Sequence, residues 1–466
     1  MGTRRICGSV ALAATALLIG CAPYQPKPLT PQTVDAALAL PDQNAISISA
    51  ERLQHPIVKP MPIDLARGLS PDEAAVLAVI VNPGLRAERA RRAQSAAQLL
   101  QAGILPNPAL TAGLELPYDN ASADSFTGYN LGLEWEVTSL ITHQAKVQAA
   151  RAEDASVQLD VAWKEWQIAE AAKTAAYDLI ALDAALKAAK QADARQAQGL
   201  RLIRRAVEAH QKTLLDLSAS EAAAQDAHAV VLTGEHDLQH QLSASYRAIG
   251  LLPGSSIPLR RDIALPSRLD PPSVDDLLDG LENRRLDLLA LKQGYESEDQ
   301  TLRAAILAQF PKLSFGFSAA RDPSDVHSIG LGVSMDLPIF DRNQGTIASE
   351  TATRQKLFDE YAQRVFEARW EIVTAVEDIR ATNTQIADAE AALPGLQKFL
   401  DVYREALDKG NADFLSYQAA HTALIQKQLA VVKLKQQLID DWITLEIAAG
   451  QYLPIPAPAT TTGAQP

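Results

Sequence analysis

Residues 328–345 read SIGLGVSMDLPIFDRNQG. In the first nine, Ile329, Leu331, Val333 and Met335 alternate with Ser328, Gly330, Gly332, Ser334 and Asp336. A strand with this period carries one apolar face and one small or polar face. Three other segments share it. Leu110, Ala112, Leu114 and Leu116 alternate with Thr111, Gly113 and Glu115. Tyr129, Leu131, Leu133, Trp135 and Val137 alternate with Asn130, Gly132, Glu134 and Glu136, and Leu313, Phe315, Phe317 and Ala319 with Ser314, Gly316 and Ser318. This is the dyad pattern of a membrane barrel, apolar outside and polar or small inside. A soluble antiparallel sheet with one face on a core shows the same alternation. Four strands do not close a barrel, because about eight is the small end. Two copies of the chain would supply eight strands and three would supply twelve.

The strands come in two pairs, and each pair sits in the same order of elements: helical run, two strands, long helical run. Residues 107–114 align with 309–317 through proline, leucine and glycine, and Leu131-Gly132-Leu133 aligns with Ile329-Gly330-Leu331. A constant offset of 200 pairs Leu214-Leu215 with Phe414-Leu415, Leu238 with Leu438 and Gly250 with Gly450. A twofold repeat of this size predicts a duplicated half-structure rather than a solenoid. The fold class is mainly α with membrane β, built from a duplicated helix-strand-strand-long helix unit.

From Thr142 to about His210 there is no proline and one glycine, Gly199, among good helix formers. A helix over that run would be about 100 Å long. The second long run, about Gly345 to Lys409, contains Pro394-Gly395, where a kink is expected. Returning helices are expected at about 214–250 and 413–450, and shorter ones at 71–105 and 274–308. Alanine-rich helices of this length need lateral partners, as in a coiled coil.

Arg4 and Arg5 precede an apolar run, Ile6 to Gly20, with the form of a secretory signal and too short to span a membrane. Leu18-Ile19-Gly20-Cys21 resembles a bacterial lipobox, which implies cleavage before Cys21 and lipid attachment to it. Ala22 after the cysteine implies sorting to the outer membrane. Cys7 leaves with the signal, so no intrachain disulfide is available. Loss of Arg4 and Arg5 takes the formal charge from -13 to -15, a poor match to nucleic-acid binding. The resulting divisions are 1–20, signal; 21–68, a lipid-anchored, proline-rich segment running extended over a surface; 69–252, first repeat; 253–273, linker; 274–453, second repeat; and 454–466, a disordered tail.

No catalytic constellation or phosphate-binding loop is present in the sequence. His236 and His240 form an i, i+4 pair with no third ligand nearby, so neither a metal site nor a cofactor is expected.

Residues 22–455 resemble the TolC-like family of outer membrane efflux factors, and especially its heavy-metal branch. The most specific pieces are Leu105-Pro106-Asn107-Pro108-Ala109-Leu110 and Leu337-Pro338-Ile339-Phe340-Asp341-Arg342-Asn343-Gln344-Gly345. The resemblance implies a homotrimer whose twelve strands close one outer membrane β-barrel, continued by a periplasmic α-helical barrel. It also implies a periplasmic adaptor protein and an inner-membrane pump of the resistance-nodulation-division type, docked at the helical tips. Lys409–Leu415 fits the family's tip turn, with Gly410 as helix C-cap and Asp413 as N-cap of the returning helix. His210 stands in the first copy where Gly410 stands in the second. Asp216 matches the carboxylates with which relatives narrow the tunnel, and its counterpart is Ser416. Glu115, Glu134, Glu136 and Asp336 are the expected barrel-lumen carboxylates. Polypeptide export and a non-channel coiled-coil lipoprotein are the alternative functions.

Overall fold

The computed structural model describes residues 23–118, 126–409 and 414–456. The chain divides into two units, Met1–Leu40 and Pro41–Pro466. In the first, helix α1 (Pro31–Leu38) starts with Pro31 at its first position and a capping box between Thr30 and Thr33. The proline there organises a helix start, because its missing N–H is one that no helix needs.

The second unit opens with α2 (Gln43–Glu51), whose Ile46 and Ala50, four residues apart on one face, are fully buried. Ile57, Val58 and Ile63 are buried as well. Residues 41–63 are therefore part of the core, not only an extended surface run. Composition hid this, since the prolines fall between the buried residues.

The next expected helix is broken into α3 (Pro71–Val81) and α4 (Pro83–Ala102), because Pro83 ends the first and begins the second. Strands β1 (Ala109–Glu115) and β2 (Gly128–Glu136) follow. Then come the 70-residue α5 (Ser139–Glu208) and the returning α6 (Leu214–Ile249). The second half begins with α7 (Val274–Leu278), α8 (Leu281–Arg284) and α9 (Leu286–Leu307). Gly280, at φ 64°, divides what was expected to be one helix. It continues with β3 (Leu313–Arg321), β4 (His327–Met335), the 65-residue α10 (Gln344–Asp408) and α11 (Phe414–Ala449). Helix α10 continues through Pro394, where a kink was expected, without ending there.

In both halves the returning helix ends in a left-handed glycine set against a helix junction. Gly250 (φ 96°) faces Asn82, whose Nδ2 donates to Ala248 O at 3.1 Å. Gly450 (φ 63°) faces Arg285, whose guanidinium donates to Ala448 O at 3.1 Å. A Cβ on Gly250 would lie 2.6 Å from Asn82 Cα, and one on Gly450 3.0 Å from Arg285 Cα. Glycine is required at both by conformation and by space.

One core surrounds Trp163, Trp166, Leu77 and Leu179, and a second surrounds Ile372, Val376, Leu438 and Trp442. Tyr177 and Ile180 of α5 meet Ile439 and Ile443 of α11 in a small cluster that joins them. Residues 253–273 are tied back to the first half by a parallel bridge: Leu69 N–H donates to Pro258 O and Arg260 N–H to Leu69 O, both at 2.9 Å.

Candidate functional site

The four strands form one antiparallel sheet in the order β1-β2-β3-β4. Its register carries the four separate alternations onto common faces. One rank across the sheet is Leu110, Leu133, Phe317, Leu331, and the next on that side is Ala112, Leu131, Ala319, Ile329. The opposite side has ranks Thr111, Gly132, Ser318, Gly330 and Ala109, Glu134, Gly316, Gly332. Within this chain the apolar side lies open: Leu331 is 89% exposed, Ile329 78% and Leu110 73%. A contiguous apolar patch of this kind marks a surface made for lipid or protein.

Glu134, Glu136 and Asp336 lie at the end of the sheet that leads into the helices, and Glu115 at the other end. Ser334 of β4 donates to Glu134 Oε1 at 3.0 Å, reaching across β3 where Gly316 leaves room. The small face is close-fitted as well as polar, since a Cβ on Gly132 would lie 2.5 Å from Thr111 Oγ1.

Two residues tie the sheet to the helices. Thr138, buried between β2 and α5, donates through Oγ1 to Pro311 O at 3.0 Å and accepts from Leu313 N–H. Asn343, at φ 62°, donates from Nδ2 to Ala305 O at 2.8 Å, and its carbonyl accepts from Ile347 N–H as α10 begins. Asparagine tolerates that left-handed conformation better than most residues, which gives the DRNQG stretch its physical meaning.

At the turn after α5, Gln211 N–H donates to Ala206 O at 2.8 Å and His210 N–H to Val207 O at 2.9 Å. This is a Schellman ending with exposed His210 at the left-handed position, φ 57°. Asp216 is the third residue of α6. Its Oδ2 accepts from Thr213 N–H at 2.9 Å, and its own N–H donates to Thr213 Oγ1 at 3.2 Å. The carboxylate proposed from the sequence to narrow a passage is thus engaged in its helix cap. Ser416 lies exposed near the start of α11. Cys21, Gly410 and Asp413 lie outside the described residues. His236 and His240 are exposed on α6. Among the described residues no three His, Cys, Asp or Glu side chains converge as for a metal ion, and no helix is long and apolar enough to cross a membrane.

Buried charges at the centre of the helices were invisible in the sequence, where each reads as part of a solvated helix face. Lys173 of α5 and Glu446 of α11, 2% and 0% exposed at the side chain, meet at 2.6 Å. Glu170 and Asp72 stand 3.9 and 3.6 Å from the same ammonium. Burial pushes Glu170 well above the usual carboxylate range. Burial opposes the Lys173 charge, but Glu170, Glu446 and Asp72 outweigh it and hold the ammonium protonated. Arg285, fully buried, bonds Glu371 at 2.6 Å and Asp287 at 2.9 Å and lies 5.2 Å over the Trp163 ring. These groups fasten the two halves. They offer no nucleophile, base and oxyanion site together, and the feature that faces outward for use is the sheet.

Residues 277–451 match the outer membrane efflux protein family. The cobalt-zinc-cadmium resistance protein CzcC of Cupriavidus metallidurans is 24% identical over 190 residues, 40% of this chain and 44% of that protein. The aligned stretch is thus under half the length of that curated relative. The outer membrane protein VceC of Vibrio cholerae superposes with a TM-score of 0.69 at 20% identity, covering 82% of this chain and 96% of that one. CusC, which undergoes conformational changes accompanying folding and transmembrane channel formation, superposes with a TM-score of 0.68 at 16% identity, covering 86% of this chain and 98% of that one. The family expected from the sequence is the one matched, and the fold is that of solved outer membrane channels.

Proposed function

We propose, from a second half that matches the outer membrane efflux protein family and a fold shared with outer membrane channels, that this chain is the passive exit duct of a tripartite efflux system. The observation that carries this reading is the sheet. Its register makes one exposed face, apolar except for Arg321 and His327 at the end next to the β3–β4 turn, backed by a glycine, serine and carboxylate face. With β1 and β4 as open edges, such a sheet requires further strands beside it, because unpaired edges are not tolerated in lipid. Three copies would close a twelve-stranded barrel, apolar outward, with Glu115, Glu134, Glu136 and Asp336 in the lumen. The helices would continue it as a periplasmic tunnel. The matching glycine docks at Asn82 and Arg285 support a duplicated unit, with repeats at 69–252 and 274–453. The lipobox-like Leu18-Ile19-Gly20-Cys21 supports a lipid at Cys21. A periplasmic adaptor and a resistance-nodulation-division type pump would meet the tips around His210, Asp216, Gly410 and Asp413. The similarity to a cobalt-zinc-cadmium resistance protein makes divalent metal cations the first substrates to test. Small toxic compounds come second.

The test is reconstitution of the full chain into planar bilayers. Discrete conductance from a trimeric species is expected, enlarged when the tips are loosened by substitution. A correctly folded, membrane-inserted preparation that never conducts, even with loosened tips, rejects the duct. Loss of tolerance to zinc, cobalt or cadmium in a deletion strain would identify the substrate class.

A further inference from the structure

His55 lies between the short helix α2 and the buried pair Ile57 and Val58, with its side chain 1% exposed. Its Nε2 is 2.9 Å from Ala162 O of α5, an atom that only accepts, so Nε2 carries a hydrogen. Its Nδ1 receives two backbone donors, Ile57 N–H at 3.0 Å and Val58 N–H at 2.9 Å. A ring nitrogen that accepts twice holds no proton, so docking selects the neutral Nε2–H form. The charged groups facing the ring are Glu165 of α5 and Arg89 and Arg92 of α4. Glu165 Oε2 is 4.0 Å from Nε2, and the same carboxylate is already held by Arg89 at 2.6 Å and Arg92 at 3.0 Å.

We propose that residues 53–63 form a strap clasped to α5 by neutral His55, and that protonation of His55 Nδ1 releases it. A proton on Nδ1 would turn that atom into a donor aimed at two N–H groups, and both buried amides would lose their acceptor. Docking and protonation are thus mutually exclusive. Burial lowers the pKa of the ring, the Ala162 carbonyl and Glu165 oppose this, and Arg92 and Arg89 add to the lowering. The linkage follows in sign. The folded value lies below the free value of 6.5, so the released strap binds one proton more between the two. Docking is fully favourable above the free value and weakens as pH falls through that window, by up to about tenfold per pH unit. Release would also open a cavity of about 70 Å³, because Val58, Lys59 and Met61 line it together with Trp166, Glu170 and Tyr452. The buried charge cluster at Lys173 would then meet water.

The experiment is hydrogen exchange on the membrane-reconstituted full chain at about pH 7.5 and about pH 5, corrected for the intrinsic pH dependence of exchange. Protection at Ile57 and Val58 is expected to fall in acid, by up to about tenfold per pH unit below the free value, while α9 and α10 hold theirs. In His55→Asn, a side-chain carbonyl stays available to the same two amides with nothing to protonate. Strap protection there should not depend on pH. An unchanged wild-type strap, or the same acid loss in His55→Asn, overturns the proposal. Ring-nitrogen resonances of the wild type provide a test independent of the variant's folding: imidazolium His55 seen while the strap remains protected would equally overturn it.

Discussion

His210 shows how a single residue can hold a turn at a cost. It occupies the left-handed position of a helix ending, where a Cβ is unfavourable by about 1 kcal/mol relative to glycine. His210→Gly is expected to raise stability by about 1 kcal/mol in denaturant titrations. An unchanged midpoint would mean that the turn is held by something other than its backbone. Asp440 makes a prediction in pH. Burial, with Asp178 and Asp441 nearby, pushes its carboxyl up to about 7. A carboxyl whose folded pKa is raised loses stability as pH climbs from its unfolded value of 3.8 through about 7, because the unfolded chain ionises first. Asp440→Asn should therefore raise Tm at about pH 8 and leave it nearly unchanged at about pH 4. Equal shifts at both would place the effect in packing. Sequence alone marked the odd histidine, because a glycine stands in the repeat partner. It could not mark Asp440, since a carboxylate on an alanine- and leucine-rich helix has the same local pattern buried or exposed.

At the scale of elements, the strands were legible because a period of two survives any tertiary arrangement, and the structure adds the register that unites them. Leu331 and Gly332 are neighbours on β4 that face opposite sides. Leu331→Arg should cost about 2–4 kcal/mol of folding into lipid vesicles if its rank lies near the midplane, and less toward the rim. Gly332→Ala, where a Cβ meets nothing within 4 Å, should fold as the parent does. Equal tolerance of the two changes in vesicle-folding yields would argue against a lipid-facing side. Helix breaks were harder to read. Pro83 splits one expected helix because Asn82 caps the next, whereas Pro394 sits exposed inside α10, which continues past it. The same residue type gives both outcomes, depending on whether a cap and a turn are available beside it.

For the molecule as a whole, the two cores are joined by Tyr177 and Ile180 against Ile439 and Ile443, with the Lys173–Glu446 pair beside them. Ile439→Ala should cost about 2–5 kcal/mol and separate a single unfolding transition into two, followed by calorimetry. One sharp, merely lowered transition would mean that the halves are held together elsewhere. Local chemistry by itself determined the strand faces, the long helices and the resemblance that led to the family, because periodicity, helix propensity and turn residues are properties of neighbours in sequence. The tertiary structure decided what sequence neighbours cannot encode. It set the rank-by-rank register of the sheet and the burial of Lys173, Glu446 and Arg285. It also packed residues 53–63, between the prolines, against the core through His55, Ile57, Val58 and Ile63. Each depends on atoms tens or hundreds of residues apart meeting within hydrogen-bonding distance, and the desolvation that makes those meetings matter exists only once the chain has folded.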